Sequence, residues 1–166
     1  MTEKKLFTEL EAIKMAISIE KRGERFYRKA AQKIQDNPDI VDTLLYLAKE
    51  EKEHAETFQQ IYNDFMEKKH DFDDTYLYEP EVEAYLDAMV STTVFPADEA
   101  GDDILEKIQT NDDALRLGIQ AEKDSILFYT EMIIYSKLPE AKAAFRRLLQ
   151  EEKKHLVDLK SRLDKK

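Results

Sequence analysis

Apolar residues recur at alternating spacings of three and four through residues 6–35, 39–69, 111–137 and 139–165, with Lys, Glu and Asp between them. That period puts the apolar side chains on one face of a helix, so each stretch predicts a long amphipathic helix. Only three Gly and four Pro occur in the whole chain, and long stretches contain neither. This scarcity of breakers agrees with long helices. Asn37-Pro38 marks a tight turn between the first two, and Leu138-Pro139 one between the last two. Pro costs little there, because a helix's first N–H has no partner in any case. "TNDD" at 110–113 reads as the N-cap of the third long helix.

The connection 70–110 differs. It holds "DFDDTYLYEP", a short helical pattern near 80–90, then "STTVFPADEAGDD" and a second short helical pattern near 102–109. No alternating, strand-like run of useful length appears. The expected fold is all-α: two antiparallel helix hairpins joined by a long crossover with short helices, forming a four-helix bundle. "YLYEPEVEAY" in the crossover either covers the bundle or meets another subunit.

An internal repeat supports this picture. "AISIEKRGERFY" at 16–27 aligns with "GIQAEKDSILFY" at 118–129, an offset of 102, and "LAKEEKEH" at 47–54 aligns with "LLQEEKKH" at 148–155, an offset of 101. Two helices per half then imply pseudo-twofold symmetry.

Polar residues interrupt the apolar stripes at matching places. The second helix turns Leu44, Leu47, Glu51, His54, Phe58, Ile61 and Phe65 to one side, and the fourth repeats this with Phe145, Leu148, Glu152, His155 and Leu159. Ile13, Ala16, Glu20, Tyr27 and Ile34 share a face of the first helix. Leu115, Gly118, Glu122, Tyr129 and Ser136 share one of the third. Four carboxylates and two imidazoles thus point into a core, where unpaired charge is costly. Counted from the hairpin turns, all six candidates lie about 14 to 17 residues away, or roughly 24 Å at 1.5 Å per residue. Antiparallel packing with the turns at opposite ends brings them into one layer. Four ionised Glu carry the charge that two divalent cations neutralise, and carboxylate with neutral imidazole suits iron, manganese or zinc. We therefore expect a dimetal site with Glu20, Glu51, His54, Glu122, Glu152 and His155 as ligands. In it Glu20 and Glu122 are single-helix ligands, with a bridging role open to them, and each His caps one metal.

Neighbouring residues read differently. Glu50, Glu53 and Glu151 lie off the stripe and read as solvated helix face. Glu24, one turn beyond Glu20, is open as an extra ligand or as a partner of one. His70 follows "EKK" at a helix end and reads as a surface residue. Tyr27 and Tyr129, each seven residues after a ligand Glu, are the candidate catalytic side chains: they either hydrogen-bond ligands or carry electrons, against the alternative of plain core aromatics.

Composition narrows the function. The 166 residues suit a single domain, 1–166. The net charge of -10 argues against a nucleic-acid or anionic-membrane partner. No segment approaches the roughly 18 apolar residues of a membrane span, and the charged start "MTEKKLFTEL" lacks the apolar core of a secretion signal. A cytoplasmic location is expected. The absence of Cys excludes disulfides, thiolate chemistry and any zinc or iron site built on sulfur.

At Glu20/Tyr27, Glu51/His54, Glu122/Tyr129 and Glu152/His155 the chain resembles the rubrerythrin branch of the ferritin-like superfamily, specifically its members that consist of the dimetal bundle alone. One Glu from each of two helices, with Glu-x-x-His from each of the others, is the ligand formula of such bundles. The resemblance implies two iron ions per chain, reaction with peroxide or dioxygen, and a homodimer serving oxidative-stress defence or iron homeostasis. Rubrerythrins proper also carry a rubredoxin domain with a four-cysteine iron; without Cys, electrons must come from an external donor. Ser125 stands where rubrerythrins tend to have a further ligand Glu. Two alternatives stand beside the enzyme: a non-catalytic bundle that stores or buffers iron, and an acidic helical interaction module without metal.

Overall fold

A computed structural model describes residues 8–68, 78–93 and 101–165 of the chain. They form six helices in the order α1 (Glu9–Lys33), α2 (Pro38–Glu67), α3 (Pro80–Ser91), α4 (Gly101–Glu106), α5 (Asn111–Tyr135) and α6 (Pro139–Asp164). The four long helices match the predicted stretches to within about three residues at each end, and the crossover contains the two expected short ones.

Local chemistry fixes where the helices begin. The Asn37 side chain accepts from the Asp39 and Ile40 amides at 3.1 and 3.3 Å, with Pro38 in the first helical turn. Thr110 and Asp113 form a reciprocal capping box at the start of α5, satisfying backbone donors that have no helical acceptor. α6 opens on Pro139 after an extended Leu138.

The hairpins α1–α2 and α5–α6 pack with their turns at opposite ends of the bundle. At one end Ile34 and Ile40 of the first turn share an apolar cluster with Leu115 and Leu163, and Arg162 pairs with Asp39. At the other end the Glu9 carboxylate accepts hydrogen bonds from the Tyr78 and Ser136 hydroxyls and from the Lys137 amide. The crossover therefore enters beside Glu9 and leaves beside Ile34, where Ile104 and Ile108 are buried and Lys33 donates to the Leu105 carbonyl. It travels the bundle's length, as the connectivity requires. Tyr78 of "YLYEPEVEAY" and Leu86 just beyond it are buried in the core, so this part of the crossover packs on the bundle, while Tyr85 is exposed.

The apolar interior is divided in two. One cluster centres on Ile13, Phe58, Phe128, Tyr129 and Phe145, the other on Tyr27, Leu44, Leu47, Leu115 and Leu159. Between them lies a layer of buried Glu and His. No helix among the described residues is long and apolar enough to cross a membrane.

Candidate metal centre

The helical period that makes the stripes also places one polar residue, or a pair, at mid-height on each long helix. Glu20, Glu51, Glu122 and Glu152 are at most 3% exposed, and His54 and His155 at most 5%. All six converge. Donor atoms of Glu20, Glu51, His54 and Glu152 lie within 4.8 Å of one another, and so do those of Glu51, Glu122, Glu152 and His155. Glu51 and Glu152 belong to both groups, whereas Glu20 and Glu122 belong to one each. Sharing thus falls to the carboxylates of the Glu-x-x-His pairs, not to Glu20 and Glu122 as the sequence left open. The reason is register: Glu51 and Glu152 come from α2 and α6, the helices that carry the imidazoles.

The imidazoles set the polarity of the layer. His54 Nδ1 lies 2.9 Å from Glu152 Oε1 and 3.4 Å from Glu20 Oε2. His155 Nδ1 lies 3.2 Å from Glu152 Oε2, 3.6 Å from Glu122 Oε1 and 3.7 Å from Glu51 Oε1. Both rings turn Nδ1 inward, nearly parallel, with centroids 5.7 Å apart. Their Nε2 atoms face outward: that of His54 is 2.6 Å from Glu151 Oε2, and that of His155 is 3.9 Å from Glu50 Oε2. Glu50 and Glu151 are therefore not solvated face, as the sequence suggested, but half-buried carboxylates beside the two rings; Glu151 is hydrogen-bonded to His54 Nε2, whereas Glu50 stays beyond hydrogen-bond reach of His155. Each hairpin supplies the outer carboxylate for the other's imidazole. The doubled Glu in both "EEKEH" and "EEKKH" was the signal; helical spacing alone could not reveal a contact made across the bundle.

Crowding of acids shapes the electrostatics. Burial, then repulsion from Glu152, raises Glu20, Glu51 and Glu122 well above the usual carboxylate range. Burial also disfavours the charge on Glu152, but hydrogen bonds with Glu122, His155 and His54 outweigh it and hold that carboxyl well below its ordinary value. Burial lowers His54, yet hydrogen bonding and attraction to Glu152 prevail and push it up to about 9. His155 is likewise raised, its burial outweighed by hydrogen bonds to Glu122, Glu152 and Glu51.

The donor set fits a pair of cations. Both carboxylate oxygens of Glu20 and Oε2 of Glu122 are buried with no hydrogen-bond partner, a state that costs free energy unless a cation meets it. Glu9, equally buried, makes the contrast, since three donors satisfy it. The four acids of the layer have only each other, two imidazoles and one hydroxyl, that of Tyr27 on Glu122.

The tyrosines part company. The Tyr27 hydroxyl donates to Glu122 Oε1 at 2.6 Å, reaching from one hairpin to the other. Gly118 makes room for this, because a Cβ there would lie 3.1 Å from the Tyr27 ring. Tyr129 packs among Phe58, Phe128 and Phe145, and its buried hydroxyl has no hydrogen-bond partner. The contact to a ligand is thus made by Tyr27 and not by Tyr129, so the repeat is broken here. Glu24 pairs with Arg28 at 2.9 Å, away from the layer, and Glu53 faces solvent near Lys49, as expected. Ser125 is buried beside Glu122. His70 lies outside the described residues.

Known proteins agree with this layout. A family model described as Rubrerythrin matches residues 11–163. Among solved structures, the chain resembles a Thermotoga maritima protein described as a ferritin-like diiron-carboxylate protein. The two are 25% identical, with a TM-score of 0.70, over 98% of this chain and 99% of that one. It also shares its fold with a hypothetical protein of Pyrococcus furiosus, at 22% identity and a TM-score of 0.64, over 95% of this chain and 89% of that one. No protein of curated function matches it.

Proposed function

The chain belongs to the rubrerythrin family, and on that premise we propose that it is a non-haem di-iron oxidoreductase that reduces peroxide or dioxygen with electrons from an external donor. One observation carries the reading. Glu51 and Glu152 each belong to two overlapping four-residue donor groups, and Glu152 presents one oxygen to each imidazole. Two cations held side by side need such shared carboxylates. Glu20 and His54 would hold one ion, Glu122 and His155 the other. The donor set also suits manganese or zinc; iron is favoured by the family and by the description of the Thermotoga relative.

When bound, two ferrous ions supply two electrons, which with two protons split the O–O bond of hydrogen peroxide into two waters. The chain's own residues do the rest. Leu47, Phe58, Leu148 and Leu159, at most 1% exposed, flank the layer above and below and keep bulk water out. Glu151 fixes the His54 imidazole with Nδ1 inward through the 2.6 Å contact at Nε2, and Glu50 adds a longer electrostatic contact to His155. Tyr27 steadies Glu122 by donating its hydroxyl proton to Oε1 across an O···O distance of 2.6 Å. Returning the site to its reduced state needs a separate reductant, because a chain without Cys holds no cysteine-bound iron.

We take the enzyme to be a cytoplasmic homodimer; an iron store would instead require a large hollow shell. The test is stopped-flow mixing of the anaerobically reduced, iron-loaded protein with hydrogen peroxide. Rapid growth of di-ferric absorbance, with one peroxide consumed per two irons, is expected. Oxidation no faster than that of free ferrous ion would overturn the proposal.

A further inference from the structure

The α1/α5 side of the metal layer is built differently from the α2/α6 side. On the α2/α6 side the imidazoles and their outer carboxylates close the bundle. On the α1/α5 side the repeat places a short residue three positions after each single-helix Glu: Gly23 after Glu20 and Ser125 after Glu122. Both are buried, and both line a cavity of about 20 Å³ whose inner wall is Glu51 and Glu122. The cavity thus lies where the repeat carries short residues at two equivalent positions, the room at Gly23 being taken up by the Glu51 carboxylate.

Its outer wall is polar and half-buried. Arg22 and Asp124, again equivalent in the repeat, approach from α1 and α5, and Thr93 at the end of α3 lies against them. Arg22 Nη1 donates to Thr93 Oγ1 at 3.4 Å, which ties the crossover over the seam. The inner part is lined by Tyr27, Ser125, Glu51 and Glu122 with Ile19 and Ala121 beside them, a mostly apolar surface with a few polar groups at its edge, suited to a small compact guest. A single water needs roughly 10–15 Å³ by this measure, so the space suits a molecule of about two heavy atoms and excludes a branched or aromatic one.

Building on the di-iron reading above, we infer that this α1/α5 cavity is the route by which the oxidant reaches the site, and that Arg22 and Ser125 set its size limit. Arg22 acts at the mouth as a specificity-determining residue; Ser125 keeps the inner wall short and polar. The expected substrate class is therefore the smallest hydroperoxides, with bulky organic hydroperoxides turned away at Arg22.

Two readouts test this. In crystals of the metal-free protein soaked with hydrogen peroxide, density for a two-oxygen molecule beside Ser125 is expected. It should be absent in Ser125→Val and in wild-type crystals soaked with cumene hydroperoxide. In stopped-flow oxidation of the iron-loaded protein, hydrogen peroxide should outpace cumene hydroperoxide by about 100-fold or more. Arg22→Ala should narrow that ratio about tenfold, and Ser125→Val should slow hydrogen peroxide about fivefold or more at unchanged iron content. Similar wild-type rates for both peroxides would overturn the inference. So would a ratio unmoved by Arg22→Ala in iron-replete protein, or an empty cavity in every soak. Failure of the di-iron reading looks different: no iron is retained and no peroxide reacts, while the soaks of metal-free crystals still decide whether the cavity admits peroxide.

Discussion

Glu152 is the hinge of the site at the scale of single residues. It keeps its charge because both imidazoles face it, while Glu20, Glu51 and Glu122 are pushed toward their neutral forms by burial and by Glu152 itself. The sign of the pH dependence follows. A raised carboxyl stabilises the fold below its ordinary value of 4.5 and loses that contribution as pH climbs. His54, raised to about 9, contributes fully below 6.5 and loses its share toward 9. Glu152, lowered, contributes a constant amount above its ordinary 4.5. The metal-free protein should therefore melt at lower temperature at about pH 8 than at about pH 5, by thermal unfolding followed with circular dichroism. Metal binding releases the same protons, so the gain in melting temperature on anaerobic Fe(II) addition should widen over that range. A metal-free melting temperature that rises with pH would contradict the assigned protonation. Glu151→Gln is the second residue-scale test. Removing the 2.6 Å partner of His54 Nε2 should weaken metal affinity about 10- to 100-fold in a competition titration. Glu50→Gln, whose contact is 3.9 Å, should cost less.

At the scale of elements, the long helices and their turns are legible in the sequence because each depends on local chemistry: a 3.6-residue period, Asn37 before Pro38, Thr110 with Asp113. The convergence of six polar residues is legible too, since helices of matched length and turns at opposite ends fix their height. What was hidden needed distances between helices. Glu50 and Glu151 meet imidazoles of the opposite hairpin, and whether Tyr27 or Tyr129 reaches a ligand depends on which aromatic cluster closes around it. Gly23 was hidden as well. A Cβ there would lie 3.0 Å from Glu51 Oε2, so the helix gives up a side chain to seat the shared carboxylate. Gly23→Ala separates the two effects. Ala favours a helix interior by about 1 kcal/mol over Gly, so the metal-free protein should melt no lower than wild type. Iron affinity should fall about tenfold as Glu51 is displaced. Equal loss of both would instead mark an ordinary packing defect.

At the scale of the whole molecule, two apolar clusters are joined through a layer of acids that only a positive charge can complete. The hairpins thus meet at the place where they are least able to pack alone, and metal binding acts as the link between them. A ligand that binds only the folded state stabilises it by mass action, by about 2.7 kcal/mol at a hundredfold excess over Kd. In solution the protein should sediment as a dimer if the proposed function holds; a large shell would favour storage. The most direct test is an anaerobic Fe(II) titration of the metal-stripped protein, with bound iron counted per chain after gel filtration. Two tightly held irons per chain are expected for wild type, and none or one weakly held for Glu152→Ala. Less than one iron per folded wild-type chain, or full binding by Glu152→Ala, would contradict a shared dimetal centre.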